Sequence, residues 1–192
     1  MNEPRERQGG AHRLFFALWP DPALRKALSV ATRDAVAQVE GNRVPPGNLH
    51  VTLAFLGMVP GRRFVDLLAI GGRDLWPRVE LDFDRIEYWP KPKVLVAMPG
   101  AAPATGLAMV EGLWRSLEPL GFTREARPWW PHLTLVRKVT RPPPRGLELR
   151  LSGQPARDPG SWKLALVESL THPEGARYKP LADWPLKGDR SN

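Results

Sequence analysis

The sequence predicts an α+β fold in which two related lobes face each other across a central cleft. Three observations carry that reading. The string His-x-Thr-Leu occurs twice, as His50-Val51-Thr52-Leu53 and His132-Leu133-Thr134-Leu135. Each copy lies in a short apolar run that reads as a strand, and each follows a helix-like segment at a similar place in its half of the chain. The order of segments is strand, helix, strand, helix, two strands, then helix and strands again. It shows no repeat of the roughly 20–50-residue kind that marks solenoids, so a diverged two-fold arrangement is more economical. With four histidines and seven threonines in 192 residues, chance recurrence of the string has odds on the order of one in ten thousand.

The elements follow in order. Residues 1–12 are polar and charged, lack the apolar stretch of a signal peptide, and are expected to form a flexible tail. Residues 13–186 are expected to form one bilobal domain, and 187–192 a second tail. Arg13 to Trp19 is aromatic-rich and short, as in a buried strand. Pro20-Asp21-Pro22 ends it, with Asp21 placed as an N-cap and Pro22 in the first helical turn. A helix is expected to about Glu40, with Leu24, Leu28, Ala31, Ala35 and Val39 on one stripe, stopped by Gly41. Val44-Pro45-Pro46-Gly47 is a rigid turn. Asn48 to Leu56 is the strand of the first motif, ended by Gly57.

Arg62 to Leu75 reads as a second helix on Phe64, Leu67, Leu68 and Leu75, although Gly71-Gly72 weakens it. Val79 to Tyr88 alternates through Val79, Leu81 and Phe83 and reads as a strand; Lys93 to Met98 is another, joined by the tight Trp89-Pro90-Lys91-Pro92. Pro103 to Leu120 reads as a third helix, with Leu107, Val110, Leu113, Trp114 and Leu117 inward. Pro131 to Val139 is the strand of the second motif. Arg141-Pro142-Pro143-Pro144-Arg145 is a stiff exposed linker. Leu147, Leu149 and Leu151 alternate as a strand. Trp162 to Leu170 and Arg177 to Trp184 close a last hairpin around His172-Pro173-Glu174-Gly175.

The formal charge is +8 and the pI about 10.4. That balance favours anionic partners, of which nucleic acid is the commonest, though a solvated basic surface yields the same number. There is no cysteine. Disulfides, thiolate catalysis and cysteine-ligated metal centres are excluded, and a cytoplasmic protein is expected. No run reaches the ~18 apolar residues of a membrane span.

Side chains at i and i+2 of a strand share a face. Each motif therefore presents an imidazole and a hydroxyl side by side. Two such strands brought together offer one imidazole to take a proton and one to give it. That set can open or form a phosphodiester, with the Thr52 and Thr134 hydroxyls donating to the non-bridging oxygens. A single His-x-Thr could equally satisfy its own hydrogen bonds in a half-buried strand; the matched pair argues against that. A metal site is not expected, because the two histidines lack the short spacing of zinc motifs and have no acidic residue within three positions. No cofactor is expected. His12 and His172 lack the threonine and read as ordinary tail or loop residues.

These residues resemble the 2H phosphoesterase superfamily, named for paired His-x-Thr/Ser motifs, and most nearly the bacterial and archaeal RNA 2′,3′-cyclic phosphodiesterases, also called 2′-5′ RNA ligases. The similarity runs from Arg13 to Leu186. It rests on the two motifs, on Arg13-Leu14-Phe15-Phe16-Ala17-Leu18, on the run from Asn48 to Gly57, on Pro131 to Arg137, and on Gly175-Ala176-Arg177-Tyr178. The resemblance implies a bilobal fold with two pseudo-symmetric lobes, antiparallel sheets and flanking helices around the cleft. It implies metal-independent hydrolysis of an RNA 2′,3′-cyclic phosphate end to a 2′-phosphomonoester. His50 is then the proton donor and His132 the proton acceptor, and ATP-independent 2′-5′ ligation is the reverse reaction. Arg137 matches a phosphate-holding arginine, although strict alternation would turn it away from His132. Phe55, Trp129 and Trp130 are candidates to stack the terminal base. Arg62, Arg63 and Arg127 could meet the RNA backbone or simply be solvated. The expected partner is RNA bearing a cyclic phosphate end, with the chain a monomer and no membrane involved. Rival readings keep the site but change the substrate to a small cyclic nucleotide, an ADP-ribose cyclic phosphate or a 2′-5′ oligoadenylate, or make the chain a non-catalytic RNA-binding module.

Overall fold

The computed structural model describes residues 10–73, 76–141, 143, 161–172 and 175–187. Among them run β1 (Ala11–Pro20), α1 (Pro22–Ala31), α2 (Arg33–Ala37), β2 (Glu40–Arg43), β3 (Val51–Pro60), α3 (Phe64–Gly71), β4 (Arg85–Trp89), β5 (Val94–Met98), α4 (Ala104–Leu117), β6 (Leu133–Arg141), β7 (Trp162–Leu170) and β8 (Arg177–Pro185).

The strands form one antiparallel sheet in the order β4-β5-β6-β3-β1-β7-β8, with β2 also paired to β6. It consists of two halves, β3-β1-β7-β8 and β4-β5-β6-β2. They meet at a single pair, Val51 opposite Leu133, and each of those residues directly follows a motif histidine. Continuing the antiparallel register by one residue sets His50 across from Thr134 and His132 across from Thr52. The expected two-lobed α+β architecture is present, with the lobes fused at the point where the motifs meet.

One face of both halves shares a large core. α1 and α2 contribute Leu24, Leu28 and Ala35, the turn after α2 contributes Val39, α3 contributes Leu67 and Ile70, and α4 contributes Met109, Val110, Leu113 and Leu117. They pack on Leu14, Phe16, Leu18, Leu53, Leu135 and Leu164 from the strands. Each fully buried leucine stabilises by roughly 1.5–3 kcal/mol. The intervening residues Phe15, Ala17 and Trp19 point the other way and form a second apolar cluster with Ala165, Val167 and Tyr178. A third joins Val94, Val96, Met98 and Trp89. β1 is thus buried on both faces, which is why it reads as an unbroken apolar run. Asp21 caps α1 as expected, accepting from the Leu24 N–H at 2.7 Å.

Several boundaries depart from the sequence expectation, each for a local reason. β1 begins at Ala11, and His12, expected in the tail, lies within it. Its Nδ1 is 2.6 Å from the Glu168 carboxylate of β7. The first helix does not reach Glu40. Thr32 bonds its hydroxyl back to the Leu28 carbonyl at 2.9 Å and separates α1 from α2. Residues after α2 form β2, which supplies backbone partners to β6 where β3 diverges from it. Gly41 serves that pairing: a Cβ there would lie 2.8 Å from Val136.

The first motif strand starts at Val51 after a short 3₁₀ turn at Pro46–Asn48. Gly57 does not end it. Its φ of 71° sits at a register shift between β1 and β3, so the glycine absorbs a bulge and the strand runs on. α3 is shorter than expected, preceded by a 3₁₀ turn at Gly61–Arg63. A Cβ on its terminal Gly71 would overlap the Trp184 ring. Val79, Leu81 and Phe83 are buried, but only Arg85–Trp89 pairs with a neighbour; their alternation reports a buried side and no ladder. In α4, Leu107 is exposed and Met109 takes its place inward. The second motif strand is Leu133–Arg141, and β7 and β8 agree with the expected hairpin. Leu75, Pro142, Pro144, Arg145, the expected strand through Leu147, Leu149 and Leu151, Pro173 and Glu174, and the expected tails at 1–9 and 188–192 lie outside the described residues.

Candidate active site

In both motifs the residues after the histidine and after the threonine are buried. Val51 and Leu53, like Leu133 and Leu135, are at most 3% exposed. His50, Thr52, His132 and Thr134 therefore share the opposite side. The two histidines are held in the same way. The His50 Nδ1–H donates to the Asn48 carbonyl at 2.7 Å. The His132 Nδ1–H donates to the Trp130 carbonyl at 2.9 Å. In each case the acceptor lies two residues upstream. A carbonyl only accepts, so Nδ1 must carry the proton and Nε2 is the nitrogen left for chemistry. No described residue bonds the hydroxyl of Thr52 or Thr134.

The His50 ring sits among aromatics. Trp19 stacks on it at 5.7 Å between ring centres, Phe15 lies at 5.0 Å, and Tyr178 meets it edge-on at 4.9 Å. Asn48 ties this corner together. Its amide donates to the Ala176 carbonyl at 2.8 Å and its oxygen accepts from the Tyr178 N–H at 3.3 Å. One residue thus anchors both the imidazole and the start of β8. The Arg137 guanidinium donates to the Tyr178 hydroxyl at 3.5 Å.

Arg137 reaches this corner through a bulge. Thr134 pairs with Val96, but Val136 pairs with Leu95, so one residue of β6 is extra. Leu135 and Val136 are consecutive core residues, and Arg137 returns to the histidine side. The alternation problem raised by the sequence is resolved there.

His132 leans on Trp89, with ring centres 4.7 Å apart. Beside it opens a cavity of about 550 Å³ whose walls include Thr52, Phe55, Trp89, Trp129, Trp130 and Arg127. Trp129 is a fixed wall. Its Nε1 donates to the Thr52 carbonyl at 2.8 Å, and its ring packs where a side chain on Gly106 would be. Trp130 and Phe55 are 41% and 37% exposed and present accessible ring faces, although the Arg13 guanidinium already covers Phe55 at 5.0 Å. Arg127 pairs with Glu125 at 3.5 Å and Arg63 with Asp66 at 3.4 Å. Arg62 and Arg63 lie on the turn before α3, outside the cavity walls.

The fold therefore gathers His50, Thr52, His132, Thr134 and Arg137. Sequence reasoning missed Asn48 and Tyr178 as site residues, although both lie in strings that carry the family resemblance. It also missed Phe15 and Trp19, which read only as part of a buried strand, and Trp89, which read as part of a tight connection. Among the described residues no three His, Asp or Glu side chains come together as a metal site, and no helix is long and apolar enough to cross a membrane.

Burial lowers the His50 pKa from 6.5 to about 4; the Asn48 carbonyl opposes the shift, and Arg137 and His132 add to it. His132 is lowered for the same main reason, opposed by the Trp130 carbonyl and reinforced by Arg127 and Arg137. Both imidazoles are neutral at pH 7 in the free protein. Stability depends on this. Between pH 6.5 and 4 the unfolded chain binds a proton at residue 50 that the folded chain refuses. The contribution of residue 50 to stability is then expected to fall by about 3 kcal/mol as pH drops through that window, and to level off below it. Denaturation midpoints of the wild type and His50→Gln across pH 4–7 check this; parallel curves would contradict it.

The LigT-like phosphoesterase family model matches residues 18–96. An RNA 2′,3′-cyclic phosphodiesterase of Escherichia coli K12 is 30% identical, over 97% of this chain and 99% of the relative. A protein of the same name from Thermus thermophilus is 35% identical, over 92% and 91%. In fold, the chain is similar to a crystal structure of E. coli LigT complexed with 3′-AMP, with a TM-score of 0.75 at 24% identity over 92% of this chain and 98% of that one. It is also similar to a crystal structure of a phosphoesterase, with a TM-score of 0.69 at 28% identity and the same coverage. With two such motifs meeting at one point of the sheet and relatives alike over nearly their whole length, the chain belongs to the LigT-like phosphoesterase family.

Proposed function

We propose that this chain hydrolyses RNA 2′,3′-cyclic phosphate ends to 2′-phosphomonoesters by two-histidine acid–base catalysis without a metal. The observation that carries this reading is the junction at Val51 and Leu133, which sets both motifs side by side with Nδ1 of each histidine held by a carbonyl. The curated relatives named RNA 2′,3′-cyclic phosphodiesterase support it.

Water attacks phosphorus as His132 Nε2 takes its proton. The P–O3′ bond breaks on the opposite side, and His50 Nε2–H protonates the departing 3′ oxygen. Thr52 and Thr134 donate to the non-bridging oxygens, and Arg137 balances the phosphate charge, steadied by Tyr178. His50 must be protonated to donate, and the free site disfavours that charge. The bound phosphate anion reverses the balance, because an opposite charge raises an imidazole pKa. With a 5′-hydroxyl in place of water as the nucleophile, His132 takes its proton, the P–O3′ bond breaks, His50 protonates the 3′ oxygen, and a 2′-5′ bond results. The terminal base stacks on Trp130, Phe55 or Trp129, a contact of about 1–3 kcal/mol that tolerates any base. Residues 13–186 act as one catalytic domain, monomeric and cytoplasmic.

An oligonucleotide ending in a 2′,3′-cyclic phosphate tests the reading. Turnover is expected to persist in excess EDTA and to yield only the 2′-phosphate. Loss of activity with chelator and rescue by a divalent ion would overturn the two-histidine mechanism. A 3′-phosphate product would show that the other ester bond breaks.

A further inference from the structure

A second groove of about 660 Å³ lies between α1, α2 and the loop that leads into the first motif. Its charged walls are Arg25, Lys26, Arg33 and Arg43, and no acidic side chain is among the described residues lining it. No carboxylate pairs with any of the four among the described residues. The nearby Glu40 is engaged by Arg141 at 3.4 Å. Arg25 donates to the Pro20 carbonyl at 3.1 Å, while its buried Nε has no partner among the described residues. Four cations line one groove, and among the described residues no carboxylate neutralises them. Such an arrangement repels itself unless an anion fills it.

The groove adjoins the candidate active site. The Arg25 guanidinium lies 5.9 Å over the Trp19 ring, and Trp19 stacks on His50. One indole therefore separates its cationic end from the proposed proton donor. The other wall, the loop through Pro45 and Pro46, continues directly into Leu49 and His50.

We propose that this groove binds the backbone phosphates of single-stranded RNA upstream of the reacting end. The proposal rests on the reading of the cleft as a cyclic phosphodiesterase site. A chain whose terminal phosphate lies between the histidines passes over the 44–49 loop, and its next phosphodiesters meet the four cations. Three of these are arginines, whose planar guanidinium forks match phosphate oxygens. Two substrate subsites follow: a neutral-imidazole cleft for the cyclic end, and a basic groove that adds affinity only when more nucleotides are attached.

The test uses the full chain carrying Lys26→Glu, Arg33→Glu and Arg43→Glu together, with Arg25 kept because it packs on Trp19. Two substrates are compared, a 2′,3′-cyclic mononucleotide and a decanucleotide with the same end. On the mononucleotide the variant is expected to stay within about twofold of wild type. On the decanucleotide KM is expected to rise at least about tenfold, and the salt dependence of kcat/KM to flatten, because fewer counterions are released. Unchanged decanucleotide kinetics would overturn the groove's role, and so would an equal loss on both substrates. If the wild type turns over neither substrate, the catalytic reading fails but the groove is still measurable. Binding of a fluorescent decanucleotide weakened tenfold in the variant then supports it, and equal binding overturns it. Wild-type capture of polyglutamate more tightly than the decanucleotide, lost in the variant, would overturn it in favour of an acidic protein partner.

Discussion

Replacing either His50 or His132 with alanine is expected to lower turnover of a cyclic phosphate end by at least about 100-fold, since each imidazole carries one proton transfer. The fold is expected to survive. The strand ladders around each motif are backbone bonds, and Val51 and Leu133, which join the two half-sheets, are untouched. His50→Ala leaves a gap among Phe15, Trp19 and Tyr178 but removes a buried polar group that resists charging. Circular dichroism and the denaturation midpoint check that point independently. The two histidines serve one transition state, so the double variant is expected to lose much less than the product of the single losses. A single variant with near-normal turnover would remove that residue from the proton-transfer scheme.

Substituting sulfur for the 3′ oxygen of the substrate is expected to shrink the His50→Ala defect markedly while leaving the His132→Ala defect in place. A thiolate leaves with little protonation, whereas water still needs a base. The opposite pattern would exchange the two roles. Equal defects on both substrates would mean that the imidazoles hold the phosphate and move no protons. The pH profile reads the same assignment. One histidine must be neutral and the other charged, so activity follows a bell. Burial lowers both free pKa values, which places the kcat/KM maximum on the acid side of 6.5. Bound phosphate raises both, so the kcat maximum is expected at higher pH. The limits belong to the coupled pair and not to single residues. A kcat/KM bell centred above neutral pH would contradict the burial that lowers both values.

Much of this was legible in the chain because it depends on local periodicity. The two His-x-Thr-Leu strings specify a face by period two, and their leucines and Val51 turn inward as that period requires. Leu24, Leu28, Ala31, Ala35 and Val39 mark a stripe that is buried in full, even though Thr32 divides the helix and Glu40 at its expected end opens a strand. Asp21 and Pro22 announce a helix start through chemistry confined to one turn.

Tertiary structure alone decided what depends on a partner far along the chain. β2 exists because β6 needs backbone partners where β3 leaves it; nothing in Glu40–Arg43 itself, all exposed, signals a strand. Arg137 faces the histidines because one extra residue at a bulge reverses the alternation, and a bulge is set by the pairing with β5. Tyr178 lies 128 residues beyond His50 and meets it because β8 pairs with β7 in the sheet and Asn48 bonds to Ala176 and Tyr178 at the start of β8. The depressed pKa values follow from the same assembly. An imidazole in a half-polar strand is ordinary until three aromatic rings from other segments close around it and remove its water. Period and capping act within a few residues and so are written in the sequence, whereas desolvation and register belong to surfaces that exist only after distant strands have paired.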